Sequence, residues 1–124
     1  MSTQTLITVV EDDEDVREAL IGLMRSRGYS VTGFASAAEF LAQPDFRATS
    51  CLIADVHMPT MTGVELHRSL IAAGHKIPTV LVTAYPDESD RARVLSDGVV
   101  CYLRKPVDEQ QLIRCLRAAC GPAG

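Results

Sequence analysis

The sequence predicts an α/β protein in which helices cover both faces of a five-stranded parallel sheet. Short apolar runs alternate with helical patterns five times along the chain. Strands that are apolar along their whole length are buried on both faces, and their alternation with helices favours parallel pairing through right-handed crossovers. The chain has 124 residues, 47% of them hydrophobic and 23% charged, which suits one compact domain and argues against disorder.

Five segments have the composition of buried strands. They are short, rich in β-branched residues and bounded by turn signals, which distinguishes them from buried helices. The three most apolar segments are 6–10, 51–54 and 79–82, and two weaker ones are 30–34 and 100–103.

Five helical patterns follow the strands. In the first and the last, apolar residues recur at i, i+3, i+4, i+7 and i+8, which places them on one face of a helix. A capping box from Ser36 to Glu39 opens the second helix, and Asp108 and Glu109 form an acidic start to the last. Glycines close four of the helices, and the second ends before Pro44. The predicted helical segments are 16–24, 36–43, 64–73, 87–97 and 108–120.

Composition and charge narrow the function classes. The formal net charge of −4 argues against a basic face that binds nucleic acid directly. No apolar run approaches the roughly 18 residues of a membrane span, and no secretory signal is visible at the start, so we expect no membrane contact. We predict one domain over residues 1–120, with 121–124 as a tail or the start of a linker.

The four cysteines show neither a CxxC pair nor the spacing of a zinc site with the histidines. Such cysteines usually act as small apolar residues in a reducing compartment. We therefore expect a cytoplasmic protein with four reduced thiols, at Cys51, Cys101, Cys115 and Cys120.

Polar side chains follow four of the predicted strands. Glu11 and Asp12 follow the first strand, Asp55 the third, Thr83 the fourth and Lys105 the fifth. In an open α/β sheet the working site lies outside the carboxyl ends of the strands. We therefore expect these side chains to meet at one edge of the sheet.

Three neighbouring carboxylates repel one another unless a cation balances them. Oxygen ligands without histidine or cysteine favour Mg²⁺, and a carboxylate beside Mg²⁺ can attack phosphorus to form an aspartyl phosphate. Asp55 is the predicted nucleophile, with Lys105 and Thr83 placed to bind phosphoryl oxygens. The alternative is that Asp55 is a cap paired with Lys105. The following acids, residues 13–15, are predicted to be solvated and to face the positive end of the first helix.

Four motifs in this order resemble the response-regulator receiver (CheY-like) domain of two-component signalling systems. They are Val10-Glu-Asp-Asp13, Asp55-Val-His-Met-Pro-Thr-Met-Thr-Gly63, Val82-Thr-Ala84 and Tyr102-Leu-Arg-Lys-Pro106. The resemblance covers nearly the whole chain and implies a flavodoxin-like doubly wound (βα)5 fold with strand order 2-1-3-4-5. It also implies a cis peptide bond between Lys105 and Pro106.

The resemblance assigns roles to individual residues of the metal site. Asp55 corresponds to the phospho-acceptor, and Glu11 and Asp12 to the acidic pair that holds Mg²⁺. The backbone carbonyl of His57 corresponds to a further metal ligand.

Three more residues correspond to parts of the family's switch. Lys105 matches the lysine that binds the phosphoryl group, Thr83 the switch hydroxyl and Tyr102 the switch aromatic. We expect phosphorylation to draw Thr83 inward and to let Tyr102 turn in, which changes the surface formed by helix 87–97, the fifth strand and the last helix.

The implied function is to accept a phosphoryl group from a sensor histidine kinase and to control an output, with transcription regulation as the expected one. The sequence is similar to FixJ-type receivers, which are often fused to a DNA-binding domain, and a homodimer through the switched surface is an open expectation. Two other functions stay open: a Mg²⁺-dependent aspartyl phosphatase, and an interaction module that works without phosphorylation. We expect no enzyme activity beyond the chain's own phosphorylation and dephosphorylation.

Overall fold

A computed structural model describes residues 5–121, in which five strands and five helices alternate. The strands are β1 (Leu6–Val10), β2 (Ser30–Phe34), β3 (Cys51–Asp55), β4 (Thr79–Thr83) and β5 (Cys101–Arg104). The helices are α1 (Glu14–Ser26), α2 (Ala37–Leu41), α3 (Gly63–Ala72), α4 (Glu88–Ser96) and α5 (Glu109–Cys120), with a 3-10 turn at Phe46–Ala48. All neighbouring strands pair in parallel in the order β2-β1-β3-β4-β5, which confirms the predicted fold.

Two hydrophobic cores lie on opposite faces of the sheet. On one face, α1 and α5 bury apolar side chains such as Met24 and Leu116 against β1, β3 and β4. On the other face, α2, α3 and α4 pack residues such as Phe40, Leu66 and Val94 against the opposite sides of these strands. The two central strands β3 and β4 are buried along their whole length, as their continuous apolar composition predicts.

β1 and β2 have the predicted bounds, whereas β3, β4 and β5 each end one residue later than predicted. β3 includes Asp55, which pairs in register with Val82, and β4 includes Thr83, which pairs with Arg104. Ladder pairing depends on the backbone, so a polar side chain does not end a strand. Asp55 and Thr83 are thus held by the rigid sheet rather than by a loop.

Short polar residues cap the helices that border this edge. The side chain of Asp13 accepts hydrogen bonds from two backbone N–H groups in the first turn of α1, which confirms that these acids face the positive end of the helix. Thr62 and Glu65 form a reciprocal capping box at the start of α3, and Asp87 caps α4.

The cysteine prediction is wrong for one pair. Cys101 of β5 and Cys115 of α5 form a disulfide, with their Cα atoms 6.2 Å apart, whereas Cys51 and Cys120 are free. Their sequence separation of 14 residues resembles no local motif, and only the packing of α5 on β5 brings them together.

Among residues 5–121, none of the helices combines the length and the apolar character that crossing a bilayer requires. Of the predicted tail, residues 122–124 lie outside the described part of the chain.

Candidate functional site

Three carboxylates meet at the carboxyl edge of the sheet. Glu11, Asp12 and Asp55 each offer an oxygen, and these atoms all lie within 4.8 Å of one another. Asp55 and Glu11 are buried, with 5% and 1% of their surface exposed, whereas Asp12 is open to solvent. The predicted convergence of strand ends is therefore present in the structure.

Glu11 is held by contacts from three directions. Its backbone N–H donates to the carbonyl of Phe34, and its own carbonyl accepts a 2.8 Å hydrogen bond from the Arg17 guanidinium. Its carboxylate accepts from the backbone N–H of Asp13. Burial, with a contribution from the nearby Asp55, raises the pKa of Glu11 above its ordinary value, against the lowering effect of Lys105.

Lys105 connects two of the acids. Its ammonium nitrogen lies 2.6 Å from Glu11 Oε1 and 3.3 Å from Asp55 Oδ2. Burial lowers the pKa of Lys105, but the hydrogen bond to Glu11 and the charge of Asp55 outweigh it, so the pKa is raised overall. The Lys105–Pro106 peptide bond is cis, and the Lys105 backbone N–H donates to the carbonyl of Thr83.

The donor set fits a hard divalent cation. Three carboxylates and one ammonium leave a formal charge of −2, and two of the acids are buried where such an excess is costly. All three offered ligands are carboxylate oxygens, the donors that Mg²⁺ prefers. The backbone N–H of His57 donates to Asp55 Oδ1 at 3.3 Å, which places His57 beside the site, and its carbonyl as a ligand stays a prediction.

Gly63 holds a position that the sequence motif contains but to which we assigned no role. A Cβ atom built on Gly63 would lie 2.4 Å from the backbone oxygen of Asp55 and 3.1 Å from a Leu81 methyl group. Its N–H also donates to the carbonyl of Val56. Only glycine lets α3 begin this close to the strand that carries Asp55.

The two predicted switch residues are both buried. Thr83 has no exposed surface, and its hydroxyl accepts a hydrogen bond from the backbone N–H of Tyr85. Tyr102 is 5% exposed, and its hydroxyl accepts a hydrogen bond from the backbone N–H of Asp87, the residue that caps α4. Tyr102 thus already has the inward orientation that we expected only after phosphorylation.

The exposed rim of the site carries two aromatic rings. The rings of His57 and Tyr85 meet edge to face, with centroids 5.5 Å apart. Both side chains are exposed, and Tyr85 retains 74% of its surface. They lie on the loops that follow β3 and β4, beside Asp55 and Thr83 respectively.

A family model described as "Response regulator receiver domain" matches residues 7–117. The chain belongs to this family. The matched span includes Glu11, Asp12, Asp55, Thr83 and Lys105. The prediction that the sequence is a receiver domain is confirmed.

Two curated relatives are transcription or response regulators by name. The receiver is 37% identical over 115 residues to the response regulator protein TodT of Pseudomonas putida, which covers 93% of this chain and 51% of TodT. It is 34% identical over 115 residues to the transcriptional regulatory protein FixJ of Azorhizobium caulinodans, which covers 93% of this chain and 54% of FixJ. The receiver thus spans about half the length of these relatives.

Solved structures agree with the fold. The crystal structure of FixJ-N superposes with a TM-score of 0.85 at 31% identity and covers 96% of this receiver and 95% of that chain. A response regulator receiver protein from Burkholderia phymatum superposes with a TM-score of 0.81 at 37% identity and covers 98% of each chain. The predicted flavodoxin-like fold of the CheY and FixJ type is confirmed.

Proposed function

We propose that this receiver accepts a phosphoryl group on Asp55 from the phosphohistidine of a sensor histidine kinase, in a reaction that requires Mg²⁺. The observation that carries the proposal is the meeting of Glu11, Asp12 and Asp55 at the end of the sheet, with Lys105 bound to two of them. The membership of the receiver family supports it.

The residues of the chain divide the chemistry among them. A carboxylate oxygen of Asp55 attacks phosphorus, a new O–P bond forms, and the electron pair of the P–N bond returns to the imidazole of the donor. When bound by Glu11, Asp12 and Asp55, with the His57 carbonyl as a further ligand, Mg²⁺ supplies positive charge for the phosphoryl oxygens. Lys105 offers its ammonium to a phosphoryl oxygen, and Thr83 offers a hydroxyl donor.

The fixed, buried position of Asp55 favours its phosphorylation over that of a mobile carboxylate on the surface. The backbone of Asp55 is fixed by its pairing with Val82, and its Oδ1 already accepts one hydrogen bond. Such a nucleophile loses little freedom in the transition state, which lowers the entropic part of the barrier.

The conformational response to phosphorylation requires an element that can move at a small cost in free energy. Val94 is the only buried side chain of α4. Two contacts with β5 hold this helix, because Tyr102 accepts from the Asp87 N–H and the Arg91 guanidinium donates to the Tyr102 carbonyl. When Thr83 turns its hydroxyl toward a phosphoryl group, it no longer accepts the hydrogen bond from the Tyr85 N–H in the loop that leads to α4. The populations of the two arrangements of the face formed by α4, β5 and α5 then shift.

The groove beside Lys105 suits the helix of a kinase partner. A cavity of about 520 Å³ is lined by Val16, Ala19, Leu20 and Leu23 of α1 together with Ala84, Lys105, Pro106 and Val107. A phosphohistidine must approach Asp55 closely, so its protein must cover the surface around Lys105. An amphipathic helix that places apolar side chains in this groove would satisfy that requirement.

The output is proposed from the named relatives. We infer that the receiver acts in the cytoplasm and regulates transcription through an effector segment, since regulators such as FixJ are about twice its length. We propose a homodimer through the face of α4, β5 and α5 in the phosphorylated form, with no direct binding of nucleic acid by the receiver. Two of the arginines on this face, Arg91 and Arg93, already bind Tyr102 and Asp90 within the chain, whereas Arg104 is exposed.

We propose that the chain is not an enzyme beyond its own phosphorylation and dephosphorylation. An aspartyl phosphatase carries a second acid two residues after its nucleophile, where this chain has His57. A domain that works without phosphorylation is disfavoured by the complete set of acids, Thr83 and Lys105.

The test uses acetyl phosphate with Mg²⁺ and intact-protein mass spectrometry. We expect wild type to gain one phosphoryl group, of about 80 Da, on Asp55, and Asp55→Asn to gain none. Asp45→Asn is the matched control, because it makes the same change at an exposed acid whose side chain caps nothing. Equal labelling of Asp55→Asn and wild type would refute the assignment of the acceptor.

A second arm separates donor binding from chemistry. Ala19→Arg places a charge in the apolar groove of α1, so it should block transfer from a phosphorylated kinase domain while labelling by acetyl phosphate is unchanged. Transfer from the kinase at the wild-type rate would rule out the groove as its docking site.

A further inference from the structure

Cys101 and Cys115 join β5 to α5 within the output face, which is the surface formed by α4, β5 and α5. The disulfide connects the first residue of β5 to the middle of α5, across 14 residues of chain. The loop that it closes contains both Tyr102, which binds the cap of α4, and Lys105, which binds Glu11 and Asp55. A covalent bond at this place therefore constrains the segment that links the acidic site to α4.

Cys101 is the more exposed of the two paired cysteines. It is partly exposed, whereas Cys115 is buried among the side chains of α5 and the sheet. Cys101 lines a groove of about 310 Å³ together with Arg91, Leu95, Arg104 and Gln111. Because Arg91 and Arg104 line the same groove, their positive charge attracts an anionic reagent to it.

We propose that Cys101 and Cys115 form a reversible redox site that reacts with an anionic low-molecular-weight disulfide of the glutathione type. Its oxidation tethers α5 to β5 and restrains the output face. The proposal does not depend on phosphorylation of Asp55.

The reaction balances as two successive exchanges. The Cys101 thiolate attacks one sulfur of the small disulfide, forms a mixed disulfide and releases one thiolate. The Cys115 thiolate then attacks the Cys101 sulfur and releases the second thiolate. Two protein thiols are oxidised to one disulfide, the small disulfide is reduced to two thiols, and the protons pass from the protein thiols to the released thiolates.

The other two cysteines provide an internal comparison. Cys51 is fully buried on β3, and its thiol donates a weak hydrogen bond to the carbonyl of Leu52, whereas the thiol of Cys120 donates to the carbonyl of Leu116. The neighbouring Cys51 lowers the pKa of Cys120 to about 7, although burial acts in the opposite direction. Cys120 is thus a free, partly exposed thiol near the same core but outside the loop that contains Tyr102, and it serves as the control.

The experiment places the reduced 124-residue chain in mixtures of reduced and oxidised glutathione and traps free thiols by alkylation before peptide mass spectrometry. We expect one reversible transition in which Cys101 and Cys115 lose their alkylation together. Cys120→Ser should show the same transition, and Cys101→Ser and Cys115→Ser should show none. Circular dichroism of each variant in reducing buffer confirms that it is folded.

Two further measurements test the groove and the tether. Oxidised glutathione should react roughly tenfold faster than the cationic disulfide cystamine, and Arg104→Ala should reduce this difference. Backbone hydrogen exchange in α5 should be roughly tenfold slower in the oxidised form, because the closed loop restricts local opening.

Several outcomes would overturn the proposal. Failure of the two cysteines to oxidise at any glutathione ratio would do so, and so would a disulfide that cannot be reduced without unfolding the chain. Pairing of Cys51 with Cys120 instead, or loss of the transition in Cys120→Ser, would assign the redox chemistry elsewhere. Equal hydrogen-exchange rates of α5 in the reduced and oxidised forms would show that the disulfide does not restrain this helix.

Discussion

Gly63→Ala offers a sharp test of how the helix start positions the acceptor. The added Cβ would lie 2.4 Å from the backbone oxygen of Asp55, so the two backbones must separate by at least 0.6 Å to reach 3.0 Å. Both partners are held rigidly, since Asp55 pairs within the sheet and Gly63 begins the buried end of α3. Overpacking of this kind costs about 1–3 kcal/mol, and the lower entropy of the unfolded alanine chain offsets about 0.4–1 kcal/mol of it.

Gly22→Ala is the matched control. Gly22 lies inside α1, and a Cβ there would meet nothing within 4 Å. The same substitution should therefore stabilise the protein by about 0.5–1 kcal/mol, through helix propensity alone. For a chain of this length each kcal/mol corresponds to roughly 4 °C in Tm.

Urea and thermal unfolding measure the stability of both variants, and acetyl phosphate labelling measures the acceptor. We expect Gly63→Ala to be less stable than wild type, by about 1–2 kcal/mol, and to label roughly tenfold more slowly. Gly22→Ala should gain stability and label normally. If Gly63→Ala matched wild type in both measurements, the close approach of α3 to Asp55 would have no energetic consequence and the reasoning would fail.

Three other substitutions test separate parts of the structure. Tyr102→Phe removes the hydroxyl that accepts the hydrogen bond from the backbone N–H of Asp87, the cap of α4. Hydrogen exchange in the first turn of α4 should therefore accelerate. An unchanged rate would show that this contact does not hold α4. Thr60 is a β-branched residue at φ 71°, so Thr60→Asn should stabilise the chain by about 0.5–1 kcal/mol in urea unfolding, and a loss of stability would contradict the assigned strain. Burial lowers the pKa of His67 despite the opposing charge of Asp97, so the unfolded chain takes up a proton before the folded one as pH falls below 6.5. Stability should therefore decrease through that range in wild type and less steeply in His67→Gln; equal slopes would exclude His67 as the cause.

The sequence predicted the fold because each of its signals is local. Apolar runs, caps and helix-ending glycines depend on neighbouring residues, and the alternation of strands with helices then leaves one architecture. The meeting of Glu11, Asp55 and Lys105 also followed, because the ends of parallel strands share an edge.

The missed features all depend on distances between separate elements. The hydrogen bond from Arg17 to the Glu11 carbonyl has no local sequence signal, because it joins α1 to the residue that follows β1. The Cys101–Cys115 bond depends on how α5 lies on β5. The close contact at Gly63 could have been suspected, since a glycine at the first position of a helix brings no conformational advantage there and is explained by lack of space.

The position of Lys105 indicates how chemistry at Asp55 would reach the output face. Its ammonium lies 2.6 Å from Glu11 and 3.3 Å from Asp55, so Glu11 is its main partner. Glu11 is also one of the three carboxylates that could hold the cation. A divalent cation on the three acids would weaken the hold of Glu11 on Lys105, and a phosphoryl group on Asp55 would attract it. The backbone N–H of Lys105 donates to the Thr83 carbonyl, and Tyr102 lies three residues before Lys105, in β5. If the Lys105 ammonium moved from Glu11 to a phosphoryl group on Asp55, the end of β5 would therefore shift and act on both Thr83 and Tyr102. The buried sheet would not have to rearrange.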